Sequence, residues 1–411
     1  MTKDYENTKR YTTLLFEILI FMFLFPFGYV RYSIQYKEIR NYILLVAMFI
    51  AFGIVIYDVL KKPVYIKKSI VYLSIYQLLL VVTTLYNKGG IGDGLQRIFV
   101  FPALLIFIAI NLRRRPKQLI LAFTDVMIVQ FLLSLFVFNQ HFFPQYFAID
   151  NHIAFLGHVQ MYSEYGILGV FIGYLSMRLS HKYKGLFLIF LSVLNMLYSG
   201  TVASYISVGV LAFFLLIYKA KCLKDIISKN VYLISCLLLV VNFCLLKISL
   251  ISNSFTRWLS IVTNSRVSIW ADGVNLFEQK KLLGYGIYGA HIKPYWLAWA
   301  TVISDRQGFS YAHNTVLQLI LDGGIVLLIA FLVCVFYVIK EITMIKDENI
   351  RYITSILFII YLMIGLLESL TEYAYFFIFL VFSSYMYNIF DNKDEVRSSV
   401  GDRNENQNIY K

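Results

Sequence analysis

The residues of this chain that are most able to do chemistry lie in one late polar stretch, residues 252–313. His313 ends the stretch, and a histidine with a pKa near neutrality can take a proton from an attacking hydroxyl. Arg257 and Arg266 lie in the same stretch, and the planar guanidinium group binds phosphate oxygens with paired hydrogen bonds. Together these residue types indicate the displacement of a diphosphate leaving group by a sugar hydroxyl.

Two short elements are expected to position these side chains. Asn314 directly follows His313 and can cap the helix that the next apolar run predicts. Further upstream, apolar residues recur at helical spacing and polar residues take the other side. This pattern predicts an amphipathic helix that lies along the outer leaflet. The apolar positions of this helix are Val267, Trp270, Val274 and Phe277.

The elements that carry this stretch are membrane helices. Of the 411 residues, 59% are hydrophobic and only 15% are charged. Apolar runs of roughly 17 to 25 residues recur along the chain, and each is long enough to cross a bilayer core of about 30 Å. We therefore predict an all-α polytopic membrane protein with about twelve transmembrane helices. They lie near residues 13–30, 41–60, 69–86, 97–112, 117–138, 158–178, 184–200, 201–219, 230–250, 314–340, 351–369 and 372–390.

The distribution of charge predicts how these helices are oriented. The net charge is +13, but about two thirds of the 37 basic residues fall in loops that are cytoplasmic if the N-terminus is inside. Both termini are therefore predicted to be cytoplasmic, and the basic excess orients helices instead of binding nucleic acid. The late polar stretch becomes a long outer loop between the ninth and tenth spans. It also carries Lys280, Lys281, Lys293 and Arg306.

One integral membrane domain is expected, over residues 1–390, with residues 252–313 as its outer catalytic loop. Residues 391–411 are polar without apolar periodicity, which predicts a disordered cytoplasmic tail. The first apolar run is of span length and lacks a small-residue cleavage site, so we expect it to remain as an anchor. The cysteines and histidines show no zinc-ligand spacing, so neither a metal nor a cofactor is expected.

Other polar positions leave two interpretations open. Arg97 begins a predicted helix at its outer end and either extends toward water or contacts a phosphate. The glycine-rich segment 89–94 is predicted to be an outer turn, because no Gly-Lys-Ser/Thr sequence follows it. Acidic residues at membrane depth either form a proton relay or pair with neighbouring groups. They are Glu17, Asp125, Glu164 and Asp322.

The late stretch resembles a known family in the order and spacing of short motifs. Arg266 is followed four residues later by Trp270, and then by Gly284-Tyr285-Gly286. His313-Asn314 comes next, with Asp322-Gly323-Gly324 downstream. This order is similar to the C-terminal signature of the O-antigen ligase and Wzy-type polysaccharide polymerase superfamily.

The resemblance implies a role for each matching residue. His313 corresponds to the general base, and Arg266 corresponds to an arginine that engages the lipid-linked diphosphate. Two glycines of the signature shape the turn between these residues, and the family works without a metal ion or cofactor. The residues expected to bind substrate are Arg257, Arg97, Trp270, Gly284, Gly286 and Asn314.

One segment departs from the family pattern. Many relatives carry a Ser-Arg pair at the start of a mid-chain helix, where this chain has residues 199–205 without an arginine. Arg97 or Arg257 would then have to replace it. Because arginine placement varies more among polymerases, the departure weakens the ligase branch more than the polymerase branch.

We therefore predict a metal-independent membrane glycosyltransferase on the outer face of the bacterial plasma membrane. It would polymerise polyprenyl-diphosphate-linked oligosaccharide repeat units of O-antigen, or of capsular polysaccharide or exopolysaccharide. One alternative is an O-antigen-type ligase that moves finished glycan to a terminal acceptor, and a second is a flippase or transporter for lipid-linked sugars. The expected partners are lipid-linked oligosaccharide, membrane lipids, a chain-length regulator and other envelope-glycan assembly proteins, but no nucleic acid.

Overall fold

The protein is built from helices, as seen in a computed structural model. The structure describes residues 2–25, 34–61, 63–88, 96–137, 153–263, 265–292 and 311–391. The α-helices of these ranges are α1 (Thr2–Phe23), α2 (Ile34–Lys61), α3 (Lys68–Tyr86), α4 (Phe101–Arg114), α5 (Pro116–Leu132), α6 (Met161–Arg178), α7 (Lys182–Tyr198), α8 (Val202–Leu216), α9 (Lys221–Lys229), α10 (Val231–Ile248), α11 (Ser254–Val262), α12 (Arg266–Gln279), α13 (Thr315–Thr343), α14 (Glu348–Ile364) and α15 (Ala374–Phe390).

Shorter elements adjoin some of these helices. A π-helical turn, Gln96–Val100, leads into α4, and another, Leu133–Val137, ends α5. A 3₁₀ turn, Ile217–Lys219, follows α8. Strands β1 (Ile153–Ala154) and β2 (Gly157–His158) pair in antiparallel register directly before α6.

Within the described ranges, seven helical segments are long and apolar enough to cross a membrane. They are Glu38–Lys61, Lys68–Tyr86, Gln96–Arg114, Pro116–Phe136, Val202–Lys219, Val231–Ile248 and Thr315–Thr343, and Ala374–Phe390 is a shorter apolar helix. A helix also occupies each apolar segment predicted from the sequence. The all-helical polytopic fold is therefore confirmed, while the number of spans and the cytoplasmic position of both termini stay predictions.

Helix α15 lies at the centre of the bundle. Nearly all of its residues are buried, and it packs against α4, α6 and α13. Phe379 of α15 contacts Phe171 of α6 with ring centroids 4.8 Å apart, and Phe382 contacts Phe123 of α5 at 5.3 Å. Helices α8 and α10 instead expose apolar side chains such as Leu237, as expected of helices that face lipid.

Helix α13 is broken inside its apolar run. Gly323 and Gly324 have non-helical backbone angles, so hydrogen bonds of the helix are lost at this point. Residues 281–286 replace them. The amide of Tyr285 donates to the carbonyl of Leu321 at 2.7 Å, and the amide of Ile325 donates to the carbonyl of Lys281 at 2.8 Å. The break is thus closed by a segment of the late polar stretch.

Gly284 and Gly286 are required by this close approach. Both have positive φ angles, of 58° and 79°, which favour glycine. A Cβ atom on Gly284 would lie 2.5 Å from the carbonyl oxygen of Leu321, and one on Gly286 would lie 2.8 Å from the Cα of Thr84. The two glycines therefore shape the turn that closes the break in α13, and a contact of theirs with substrate stays a prediction.

The amphipathic helix predicted in the late stretch is α12, but its apolar side does not lie open to a membrane. Val267, Trp270 and Val274 are buried, and Trp270 has no exposed surface. This side packs against the first turns of α13, where Leu317 meets Gly273. The prediction that this helix lays its apolar side along the outer leaflet is wrong, because the protein itself covers that side at Val267, Trp270 and Val274.

Several predicted features fall outside the described residues. They are the glycine-rich segment 89–94, the basic residues Lys293 and Arg306, and the tail from residue 392 onward.

Candidate functional site

His313 and Glu368 form the centre of the candidate site. His313 lies at the junction before α13, and Glu368 lies in the connection of residues 365–373 between α14 and α15. Nδ1 of His313 is 3.2 Å from Oε2 of Glu368. Both side chains are buried, with Glu368 only 3% exposed. A carboxylate on Nδ1 orients the ring and leaves Nε2 as the nitrogen that would accept a proton.

Neighbouring residues hold the main chain at His313. Its φ angle is 50°, in the left-handed region that few residues adopt. Asn314 caps α13 as predicted, since its side-chain oxygen accepts from the amide of Leu317 at 2.9 Å. Nε1 of Trp270 donates to the carbonyl of His313 at 3.2 Å, and the ring of Tyr311 lies 4.1 Å from the imidazole ring. Trp270 and Asn314 therefore position His313.

Arg266 brings a positive charge to the same carboxylate. It is the first residue of α12, after Ser265 in the left-handed conformation. Its terminal nitrogen donates to Oε1 of Glu368 at 2.5 Å. Glu368 thus bridges the two residues expected to be catalytic. We call Arg266, His313 and Glu368 the histidine cluster.

The electrostatics of the histidine cluster favour a neutral histidine beside an ionised carboxylate. Burial lowers the pKa of His313 below its usual 6.5, and the contact with Glu368 offsets only part of this effect. Burial alone would raise the pKa of Glu368, but Arg266 and the contact with His313 outweigh it and lower the pKa. At neutral pH, His313 can therefore act as a base.

Arg97 forms a second buried cluster with two acids. One terminal nitrogen donates to Oδ2 of Asp322 at 2.6 Å, and the other donates to Oε1 of Glu372 at 2.8 Å. The arginine is 2% exposed. We call these three residues the arginine cluster. Asp322 was predicted either to join a proton relay or to pair with a neighbouring group, and in the structure it pairs with Arg97.

A chain of side chains links the two clusters. The amide of Ala312 donates to the side-chain oxygen of Gln318 at 2.7 Å, and Nε2 of Gln318 donates to Oδ1 of Asp322 at 2.8 Å. Glu368 and Glu372 also share one short connection. The arginine cluster therefore supports the loop that carries His313, next to the break in α13.

The remaining predicted residues lie apart from this network. Arg257 is exposed on α11, and it has no ion-pair partner among the residues that the structure describes. Asp125 pairs with Lys184, and Glu164 is buried in the first turn of α6. In the same described part of the chain, no group of three metal-ligating side chains could hold a metal ion.

The predicted site residues did not include Glu368, Glu372 or Gln318. Residues 351–369 were predicted as a span, although the helix ends at Ile364. The polar run Glu368-Ser369-Leu370-Thr371-Glu372 between two apolar runs was an available signal. The contact between His313 and Glu368 could not be predicted, because 55 residues separate them along the chain.

The fold and the site define a helical membrane protein with a buried histidine, glutamate and arginine at the ends of α12, α13 and α14. Residues 187–332 match the family model described as O-Antigen ligase, a range that includes Arg266 and His313. A Rickettsia conorii protein with the name "Putative polysaccharide ligase" is 31% identical over 109 residues. This match covers 25% of the present chain and 26% of that protein, so the chain spans about a quarter of the relative.

Both findings confirm the resemblance to the O-antigen ligase and polysaccharide polymerase superfamily. Both names describe ligases, whereas the sequence predicted the polymerase branch. The comparisons therefore support the alternative prediction better than the first one.

Proposed function

We propose that this protein is a membrane glycosyltransferase of the ligase type. It would move a glycan from a polyprenyl diphosphate to a hydroxyl group of a terminal acceptor. The observation that carries the proposal is the histidine cluster, in which Glu368 contacts His313 at 3.2 Å and Arg266 at 2.5 Å. In this cluster, a histidine that could accept a proton and an arginine that could bind phosphate contact one carboxylate. The ligase names of the similar proteins support the same class of function.

The reaction needs one proton acceptor and one site for negative charge. Nε2 of His313 would remove the proton of the acceptor hydroxyl as its oxygen attacks the anomeric carbon of the donor sugar. A new glycosidic bond forms, and the bond between that carbon and the diphosphate oxygen breaks. The polyprenyl diphosphate leaves with the electron pair, and the proton on His313 passes to water or to the diphosphate.

Arg266 would stabilise the diphosphate as its charge develops. A guanidinium group has five N–H donors, and the contact with Glu368 uses one terminal nitrogen. The remaining donors suit a second anion, and the partly dry setting makes such contacts stronger than in water. Glu368 would keep Arg266 in place before substrate arrives and would hold His313 in the tautomer that accepts a proton at Nε2.

A repeat-unit polymerase is the second candidate. The supporting observation is the segment 199–205, which lacks the arginine that the resemblance to the superfamily implies at that point. In this reaction the acceptor is the terminal sugar of another lipid-linked unit. The chemistry at the histidine cluster is the same.

Transfer by the purified protein tests the function and separates these candidates. Lipid-linked single repeat units would be supplied with and without a non-repeat acceptor lipid. One transfer to the acceptor lipid supports the ligase, and a product ladder without that lipid supports the polymerase. We expect transfer to fall by at least about 10²-fold in His313→Ala and in Arg266→Ala. His181→Ala, which changes an exposed histidine before α7, should keep full activity.

The same variants separate an enzyme from a transporter. If His313→Ala transfers glycan normally, the proposed chemistry is wrong. If that variant also moves lipid-linked sugar across vesicles as well as the wild type, the flippase alternative replaces it.

A further inference from the structure

An apolar groove runs along the bundle from the histidine cluster. It lies between α10, α13 and α14 and has a volume of about 250 Å³. Its lining is almost entirely apolar, with Leu239, Leu319, Leu332 and Val335 among the residues that form its walls. Helices α10 and α13 are both long and apolar enough to cross a membrane, so the groove lies within the lipid-facing part of the protein.

One end of the groove is made by the same residues that build the site. Thr315 lines the groove and donates from its hydroxyl to the carbonyl of Glu368 at 2.8 Å. Asn242 also lines it and accepts from the side chain of Asn314 at 3.1 Å. The groove and the histidine cluster therefore share a wall, and a molecule that lies in the groove ends next to Glu368.

The other end of the groove lies deeper along the two helices. Tyr232 of α10 meets Phe336 of α13 there, with ring centroids 5.4 Å apart. Asn242 and Tyr232 are separated by about 15 Å along α10, at 1.5 Å for each residue. The groove is thus long and narrow, and the exposed positions Cys236 and Phe336 show that it opens to the side.

We propose that this groove holds the first isoprene units of the polyprenyl chain of the donor. The inference rests on the proposed function and names where the lipid part of its substrate lies. Single isoprenoid chains suit a single narrow groove better than a lipid with two or more acyl chains. The volume is about eight times the ~30 Å³ of one water molecule, so the groove takes a short part of the chain and the remainder lies in the bilayer.

The groove would contribute by orienting the donor and not by a favourable transfer free energy of its apolar chain. Lipid tails are as apolar as leucine, so moving an apolar chain from the bilayer to the groove brings little transfer free energy. A chain held beside Thr315 instead fixes the diphosphate to which it is attached, close to Arg266 and His313. Correct placement of reacting groups can contribute several orders of magnitude in rate.

Filling the groove tests the proposal. Leu332→Trp and Leu239→Trp each place a larger side chain in the groove from opposite walls, away from the histidine cluster. Ile329→Trp is the matched control, because Ile329 lies three residues from Leu332 on α13, is 55% exposed and does not line the groove. Each variant would be assayed with the same glycan diphosphate on a long polyprenyl chain and on a chain of a single isoprene unit.

The expected result depends on chain length. With the long-chain donor, kcat/KM falls on the order of 10- to 100-fold in both groove variants and stays unchanged in Ile329→Trp. With the short-chain donor, which leaves most of the groove empty, the groove variants lose much less. Equal losses with both donors, or no loss in a variant that unfolds at the wild-type temperature, would overturn the proposal.

A binding measurement separates this proposal from the proposed function. A polyprenyl diphosphate without sugar, carrying a photoreactive group near the diphosphate, should cross-link to α10 and α13. Unlabelled polyprenyl diphosphate should compete, and phosphatidylglycerol vesicles should not. Equal competition by phosphatidylglycerol would show a general lipid groove and refute the inference. If the wild type transfers no glycan but still shows this cross-link, the proposed function fails and the groove assignment stands.

Discussion

Replacing Glu368 with glutamine removes the negative charge of the histidine cluster while keeping the shape of the side chain. Oε1 of the amide can still accept from Arg266, but the NH₂ group now faces Nδ1 of His313, which lay 3.2 Å from the carboxylate. A neutral imidazole then accepts at Nδ1 and carries its proton on Nε2. Because Nε2 can no longer take a proton, we expect Glu368→Gln to stop His313 from acting as the base.

The size of the loss follows from what a base contributes. General base catalysis is worth roughly 10²- to 10⁴-fold, which corresponds to about 3–5 kcal/mol of transition-state free energy. Glu368→Gln should therefore lower kcat by this factor, and His313→Ala should do the same. Since the two residues act as one unit, the double variant should be no slower than His313→Ala alone.

Stability changes in the same variant and must be measured beside activity. Arg266 is 12% exposed and loses its counter-charge, and breaking a buried ion pair costs about 3–5 kcal/mol, less where hydrogen bonds remain. Thermal unfolding in detergent measures this loss of stability, and glycan transfer from the lipid-linked donor gives kcat. Glu341→Gln is the matched control, because Glu341 pairs with Lys67 at 2.7 Å roughly 40 Å further along α13.

Two results would refute this reasoning. If Glu368→Gln keeps wild-type kcat, the carboxylate does not set the tautomer of His313. If the losses of Glu368→Gln and His313→Ala multiply in the double variant, the two residues act independently.

Three further outcomes follow from the same structure. The lowered pKa of His313 predicts that kcat/KM falls toward acid pH as the ring gains a proton, with a midpoint below the usual 6.5; a midpoint above pH 6.5 would contradict it. Gly284→Ala should lower stability by about 1–3 kcal/mol, because φ is 58° there. Gly209→Ala in α8 should not lower stability, because open space surrounds that glycine. The unfolding midpoints of the two variants check both expectations. Arg97→Met leaves two buried carboxylates without a counter-charge and should cost about 3–5 kcal/mol. Adding Asp322→Asn should restore part of the lost stability. If stability does not recover, Arg97 does not stabilise the protein by neutralising these carboxylates.

Much of the architecture was predictable because it depends on local pattern. Runs of apolar residues that match the thickness of a bilayer predict helices wherever they occur, since backbone groups in lipid must bond within their own segment. The cap at Asn314 and the helical period of α12 are also local features, and both were found. The motif order from Arg266 to His313 was sufficient to predict the superfamily.

The environment of those elements was less predictable. An apolar stripe on α12 fits a membrane surface and a protein surface equally well, and only packing against α13 decides between them. Arg97 likewise suits a phosphate or a carboxylate, and its two acidic partners come from positions 225 and 275 residues away along the chain.

The sequence by itself determined that this is a helical membrane protein, and it predicted that the chemistry centres on Arg266 and His313, because residue type and period are local properties. Only the tertiary structure decided that Glu368 joins these two residues and that residues 281–286 close the break in α13. Such pairings arise when the ends of distant helices meet. Local sequence patterns do not predict which helix ends meet.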